Sequence, residues 1–528
     1  MSGANLGGAN LARVLEARAA DRGGIVGLHA EDGRSWTFDE IDLIAGGVAN
    51  ALAAAGVGAG DRVAFYLTNG PEIVFFLFGA WKVGAVPVTV SSLYNAAELA
   101  ESVAKTSPKL LLVDAHRAGL RGDAEGLGVP VRSVGPAGAA APETAAGGVR
   151  PLEWGGEARV AAVDVDADGE SCILFTGGTT GRPKAVSVTH GGTLGSLRRL
   201  ARVSTGSEEQ GTAAPDAKPN LIALPLFHSG GQHSLLFAYF VGRGTVVWER
   251  FGVDRLAALM DRFAFDNFFL LPTMVYDIVH AERDLPFAGV KHVLVAGQAI
   301  SWPLRREFEL RYGVPILVSY GSTESGHVAG WNGKDMKAGL WKPGSAGRVY
   351  PGVELEIRDD DGTVLPAGSA GEVVVRSELT KGYVDDAEAS AALVRDGWVH
   401  TGDIGHVDED GVLWLSGRKR DMIKCGGFQV WPEEIEDVLR EHALVRDVRV
   451  FGRPDDRLGE IPVALVVRDG DAPVSDDALA ADLVAFARDR LAHFKTPRRV
   501  EFTPELERSA TGKISRASVP DLEGERSA

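Results

Sequence analysis

The chain has 528 residues, 45 % of them apolar and 24 % charged, with a formal charge of -17. This length predicts two or more domains around separate cores. The acidic balance excludes nucleic acid as a bulk partner, because no basic excess exists to release counterions from a phosphate backbone.

Near the start, Leu11, Val14 and Leu15 fall at i, i+3 and i+4, the spacing of an amphipathic helix and not of a secretory signal. The strongest apolar run, Ile73 to Val90, is interrupted by Lys82, Gly84 and Pro87; a core helix leading into a strand is expected, and no membrane span. Short β-rich segments recur at Lys109 to Asp114, Leu221 to Leu224, Thr245 to Trp248, Phe268 to Leu271, His292 to Val295 and Ile316 to Ser319. Helical stretches such as Val253 to Phe263 and Pro303 to Tyr312 lie between several of them. This alternation predicts an α/β fold with largely parallel sheets, in which ligands gather at the C-terminal ends of strands. Stretches rich in Ala, Gly and Pro at Ala118 to Arg150 and Ser204 to Asn220 read as exposed loops. Beyond about Gly352 the pattern turns to short strands and tight turns. The final part mixes helices (Glu433 to Glu441, Asp476 to Leu491) with strands (Val448 to Gly452, Ile461 to Val467). Two cysteines, Cys172 and Cys425, lie far apart without metal-ligand spacing, which suits a reducing cytosol and excludes a disulfide scaffold.

Chemistry concentrates in a few segments. Leu174 to His190 reads LFTGGTTGRPKAVSVTH: an apolar strand, then Gly177, Gly178 and Gly181, hydroxyls at Thr176, Thr179 and Thr180, and the cation Lys184. Glycines let backbone N–H groups approach an anion, threonines donate further hydrogen bonds, and the lysine adds a point charge. Pro183 before that lysine and Ala185 after it separate this loop from a Walker motif. Three more polar segments follow strands and are expected to share one site: PLFHSGGQH from Pro225, AGQAIS from Ala296 and YGSTES from Tyr320. Tyr320 offers a face for a purine, Thr323 a phosphate donor, and Glu324 an oxygen ligand for a hard cation such as Mg2+. Asp403, in WVHTGD, can accept both hydroxyls of a ribose diol. GRKRDMIKCGGFQVWPEEIE, from Gly417, is a cationic turn, a glycine pair, a short strand and a proline-led helix with acidic first turn. Lys513 lies in TGKISR near the end of the chain.

Taken together and in this order, the motifs resemble those of the adenylate-forming superfamily of acyl-CoA and aryl-CoA synthetases, peptide-synthetase adenylation domains and luciferases. The resemblance runs from RSWTFDEID at Arg34 to Arg516, and stand-alone acyl-CoA ligases fit it best. It implies a large N-terminal AMP-binding domain, residues 1–419, with β-sheets flanked by helices and a distorted β-barrel subdomain. A small mobile α+β domain, residues 420–528, would carry the catalytic lysine. The implied reaction is ATP-dependent: a carboxylic acid becomes acyl-AMP with release of pyrophosphate, and a thiol then displaces AMP. By resemblance, Thr176, Gly177, Gly178, Thr179, Thr180, Gly181 and Lys184 cradle the phosphates. Thr323 and Glu324 serve the α-phosphate and Mg2+. Gly297, Gln298, Ala299, Ser319, Tyr320, Gly321, Asp403 and Arg418 hold adenine and ribose. Phe227, His228, Gln232 and His233 line the acyl pocket, with His228 also a candidate to touch the reacting carboxylate. Lys513 meets the reacting carboxylate, Arg420 is the hinge, and Gly426 and Gly427 line the thiol tunnel.

CoA is the preferred thiol; the alternative is transfer to a carrier protein or an amine, or activation of a small inorganic acid such as nitrite. A non-catalytic nucleotide-binding regulator is disfavoured by the presence of Glu324, Asp403 and Lys513. A cytoplasmic monomer or homodimer is expected. Three positions depart from the commonest family pattern: Gly177 where serine is usual, Ala185 where glycine is usual, and Arg420 where aspartate is commonest. The first removes a hydroxyl donor, so slower or weaker loop closure is expected, without loss of ATP use.

Overall fold

The computed structural model describes residues 8–115, 127–136, 149–176, 184–205, 211, 213–214, 216–426, 428–455, 457–470 and 474–506. Four sheets organise these residues. A seven-stranded sheet runs in the order Thr380–Tyr383, Lys184–Thr189, Glu170–Thr176, Val86–Thr89, Arg62–Tyr66, Leu110–Asp114, Val131–Val134. Its last five strands are parallel, as the strand–helix alternation predicts, and the first two continue it antiparallel. The Ile73 to Val90 run is a helix, Pro71–Lys82, followed by the strand Val86–Thr89. Proline sits in the first turn of that helix, where its missing N–H costs nothing. Leu11, Val14 and Leu15 are all buried at the start of the N-terminal helix.

Lys82, which interrupts the apolar run in sequence, is itself fully buried. Its ammonium sits 2.8 Å from Asp42, 2.9 Å from Glu16 and 2.6 Å from the Val160 carbonyl. Residues 155–163 pass over the helix Phe38–Ala54 without regular structure. A β-carbon on Gly46 would stand 1.7 Å from the Ala158 carbonyl oxygen, and one on Gly47 would stand 1.5 Å from that of Gly156. Only glycine fits at either position, and the crossing segment leads directly into the strand Glu170–Thr176.

The largest sheet begins with three parallel strands, Asn267–Leu270, His292–Val295 and Ile316–Ser322. It continues antiparallel through Gly326–Gly330, Gly347–Val349, Val412–Arg418, Trp398–Val407, Gly371–Arg376 and Leu355–Arg358. The expected distorted barrel is not closed among the described residues. The antiparallel strands extend the parallel ones edge to edge, so Asn267–Leu270 and Leu355–Arg358 remain opposite edges of one open sheet. A third, four-stranded sheet joins Val26–Ala30 and Ser35–Thr37 to Thr245–Val247 and Asn220–Leu221. The fourth sheet, of five strands, and the apolar core beneath it draw only on residues from Ile423 onward. No helix among the described residues is long and apolar enough to cross a membrane.

Candidate active site

Thr176 ends its strand and pairs across the antiparallel ladder with Lys184, which opens the next one. Gly177, Gly178, Thr179, Thr180 and Gly181 lie outside the described residues. The Lys184 ammonium stands 4.5 Å from the centre of the Tyr383 ring, within cation–π range. Tyr383 ends the neighbouring strand and donates its hydroxyl hydrogen to Glu324 Oε1 at 3.2 Å. Burial, and then the Glu324 charge, hold the Tyr383 phenol well above its ordinary pKa, so it remains a donor at neutral pH. Tyr383 is not legible from sequence, because a tyrosine in KGYVDD carries no local signature. What places it here is long-range pairing of its strand with Lys184–Thr189.

Tyr320, Gly321 and Ser322 belong to the strand Ile316–Ser322 and are not a loop beyond it. A β-carbon on Gly321 would stand 2.0 Å from the Gly326 carbonyl oxygen, so the tight return of the chain into Gly326–Gly330 requires glycine there. Within the turn, Ser322 Oγ accepts from the N–H groups of Glu324 (3.2 Å) and Ser325 (3.0 Å), orienting Glu324 towards Tyr383. The Thr323 hydroxyl lies 3.0 Å from that of Ser229, the first residue of the helix Ser229–Phe240. Ser229, too, has no distinguishing signal within PLFHSGGQH.

Asp403 and Arg418 face each other on adjacent antiparallel strands. Arg418 Nε is 2.6 Å from Asp403 Oδ1, and the Tyr320 hydroxyl donates to Oδ2 at 2.6 Å. The structure therefore unites three residues taken from motifs far apart in sequence. Burial, and then Asp403, hold the Tyr320 phenol protonated. Ser319 is buried and accepts from the Tyr350 hydroxyl at 3.2 Å. Gly297, at φ 87°, and Ala299 are exposed after the strand His292–Val295, with Gln298 between them half-buried.

Around the expected acyl pocket, His228 occupies the N-cap of the helix Ser229–Phe240, and its carbonyl accepts from the Gln232 N–H at 3.1 Å. Phe227 is buried beside it. The Gln232 amide donates to Thr89 Oγ1 (3.2 Å) and the Leu226 carbonyl (2.9 Å), bracing this loop. His233 meets His327 edge to face, with ring centres 5.4 Å apart.

Beyond Arg418 the chain crosses between two sets of anchors. The Lys419 ammonium is 2.8 Å from Asp360 and 3.1 Å from Glu372 in the large sheet region. Asp421 faces Arg449 at 3.5 Å, and Arg449 reaches Glu436 at 3.2 Å, both beyond Ile423. Arg420 lies between them, exposed. Gly426, at φ 59°, turns a hairpin and donates its N–H to the Leu458 carbonyl at 2.7 Å. Glu433, in the first turn of the helix Pro432–Arg440, presses against Gly417: a β-carbon there would stand 2.5 Å from Glu433 Oε2. Gly427 and Lys513 lie outside the described residues.

Comparison with known proteins completes this picture. The profile of the AMP-binding enzyme family matches residues 15–384, and that of the AMP-binding enzyme C-terminal domain matches residues 434–513. Indoleacetate–CoA ligase of Aromatoleum aromaticum is 31 % identical over 90 % of this chain and 91 % of its own length. Among solved structures, ATP-bound MatB from Rhodopseudomonas palustris is 27 % identical and superposes with a TM-score of 0.84, covering 97 % of this chain and 98 % of MatB. The apo form of MatB, over the same coverage, gives 0.75. The amide bond synthetase McbA from Marinactinospora thermotolerans is 28 % identical, with a TM-score of 0.78 over 97 % of this chain and 99 % of McbA.

Proposed function

The chain belongs to the AMP-binding enzyme family, and from that premise we propose that it joins a carboxylic acid to CoA through an acyl-AMP. The observation that carries this reading is the convergence of Lys184, Tyr383, Glu324 and Thr323 at the ends of two sheets. Together with the Tyr320, Asp403 and Arg418 cluster, it supplies donors and a carboxylate for a nucleotide's phosphates and a second carboxylate for its ribose. One carboxylate with hydroxyl neighbours suits Mg2+, which takes few protein ligands and completes its shell with phosphate oxygens and water. When bound, that ion would neutralise phosphate charge; Glu324 would be its protein ligand.

In the first half-reaction a substrate carboxylate oxygen attacks the α-phosphorus and pyrophosphate leaves. Lys184 and the Gly177 to Gly181 loop hold the departing phosphates, Thr323 donates to the α-phosphate, and Asp403 accepts the ribose hydroxyl hydrogens while Arg418 holds Asp403 in place. Lys513 is assigned to the developing charge on the bridging oxygens, and its loss should cost about 10² to 10³ in rate. In the second half-reaction the thiol sulfur attacks the acyl carbon, its proton passes to solvent, and AMP leaves. The proposed domain boundary falls between Lys419 and Arg420. Rotation there would withdraw Lys513 and bring the Gly426 and Gly427 hairpin towards the acyl-AMP. The greater similarity to ATP-bound than to apo MatB supports reading the present arrangement as the one for the first half-reaction.

Acid-dependent pyrophosphate release, followed by CoA-dependent formation of AMP, tests both halves. Lys513→Ala should lose the first half and keep CoA acylation from supplied acyl-AMP. Pyrophosphate release that no acid stimulates would sink the adenylation reading. Release that proceeds while AMP formation ignores CoA but responds to an amine would move the assignment to amide synthesis, the activity for which McbA is named.

A further inference from the structure

Behind the Ser229 and Thr323 pair lies a group of polar side chains that the nucleotide chemistry does not use. His233 follows Ser229 by one helical turn, about 6 Å along the axis, and His327 follows Thr323 across the Gly326 turn. The two imidazoles meet edge to face at 5.4 Å. His233 Nε2 is buried without a hydrogen-bond partner among the described residues, while the ring's other nitrogen bonds to the backbone of Ser229. The Ser196 hydroxyl, also buried and unpartnered there, comes within 3.5 Å of the point where a β-carbon on Gly326 would stand. Arg199, three residues along the same helix, His190–Thr205, exerts its charge on both rings.

Proton accounting decides what such a group recognises. Burial, with Arg199 adding to it, brings His233 down to about 4 and His327 down to about 3, so both rings are neutral at pH 7. Because the Ser229 carbonyl takes the one N–H of neutral His233, Nε2 presents a lone pair. A buried acceptor left without a donor is destabilising, and a ligand donor would recover that loss. A carboxylate could draw on the Arg199 charge and the Ser196 hydroxyl, but it would set acceptor oxygens against the Nε2 lone pair, and relief would need a proton on a ring that burial keeps neutral. An alkyl or aryl terminus would leave Nε2 and Ser196 unsatisfied.

We propose that the acid activated by this protein carries a hydrogen-bond donor, a hydroxyl or an N–H, at the end away from its reacting carboxylate, received by His233 Nε2 with Ser196 and His327 around it. This rests on the adenylation reading, since Ser229 and Thr323 mark the reacting end, and it adds the chemical class of the other end. The spacing of one helical turn suits a single aromatic ring or a short chain.

The test compares pyrophosphate release by the full-length protein with aromatic acids of one skeleton bearing distal hydroxyl, methoxy, carboxylate or hydrogen. The hydroxy acid is expected to exceed the other three in kcat/KM by about tenfold or more, mainly through KM. His233→Leu should collapse that preference towards unity while the KM for ATP stays put. Equal rates for hydroxyl and methoxy acids, or a preference for the carboxylate, would overturn the inference. If His233→Leu melts early, the wild-type ratios alone decide, and Ser196→Ala gives the second variant. No release with any acid would bring down the adenylation reading itself, an outcome distinct from release without the hydroxyl preference.

Discussion

Replacing Glu433 by glutamine is expected to remove most of the pH dependence with which the C-terminal unit docks on the large one. Glu433 Oε2 is buried without a hydrogen-bond partner among the described residues and sits against the backbone of Gly417. Burial pushes its carboxyl from an ordinary 4.5 up to about 7; Glu436 and Asp437 add repulsion, and Arg449 opposes them. The folded chain therefore holds this proton more tightly than the unfolded chain does. Its contribution is complete below the ordinary value and is lost as pH rises from there through about 7. The full difference from the unfolded chain corresponds to about 3 kcal/mol; docking contributes only part of it, because Glu436, Asp437 and Arg449 stay beside Glu433 within the C-terminal unit, and about 2 kcal/mol is the upper working figure. Thermal melting and limited proteolysis around residues 419–422, followed from pH 5 to pH 8.5, give the readout. Wild type should lose docking stability across that range, while Glu433→Gln keeps at high pH what wild type has at low pH. Carboxylates elsewhere titrate equally in both proteins and cancel in the difference. Parallel pH curves for the two proteins would refute the reasoning.

Three further outcomes are expected. Lys82→Met leaves the buried Asp42 with only the longer contact to Arg159, at 3.4 Å, and should cost about 3 kcal/mol in denaturant titration, with activity falling only as the folded fraction falls. Tyr383→Phe removes the hydrogen bond to Glu324 but keeps the ring under Lys184; acid-dependent pyrophosphate release should drop about tenfold to a hundredfold, with melting temperature little changed. Gly417→Ala places a methyl group against Glu433 at φ 147° and should loosen docking by about 1–3 kcal/mol, visible as faster cleavage near Arg420.

Local patterns made much of this fold legible. The helix Val253–Arg262 and the strands Asn267–Leu270 and His292–Val295 fall within a residue or so of their expected bounds, because each has its own periodicity and breakers. Sheet membership was not legible, since pairing of Thr380–Tyr383 with Lys184–Thr189 joins segments nearly two hundred residues apart. That pairing alone brings Tyr383 to Glu324. Asp403, Arg418 and Tyr320 were each readable from their motifs, yet their mutual contacts depend on strand register. The Gln232 amide bonds to Thr89 and to the Leu226 carbonyl, contacts that only the packed chain reveals. Lys82 looked like an interruption because sequence hydropathy cannot see the two carboxylates that receive it.

The anchors flanking Arg420 have a mechanical consequence. Lys419 is clamped by Asp360 and Glu372 on one side, and Asp421 is held by Arg449 on the other. A turn of one unit against the other would be concentrated in a single residue's backbone, as in a pivot pin held between two bearings, and not spread along a bending spring. Substitutions at Arg420 would then change which angles the joint can take, whereas substitutions at Lys419 or Asp421 would add play to a joint whose angles stay the same.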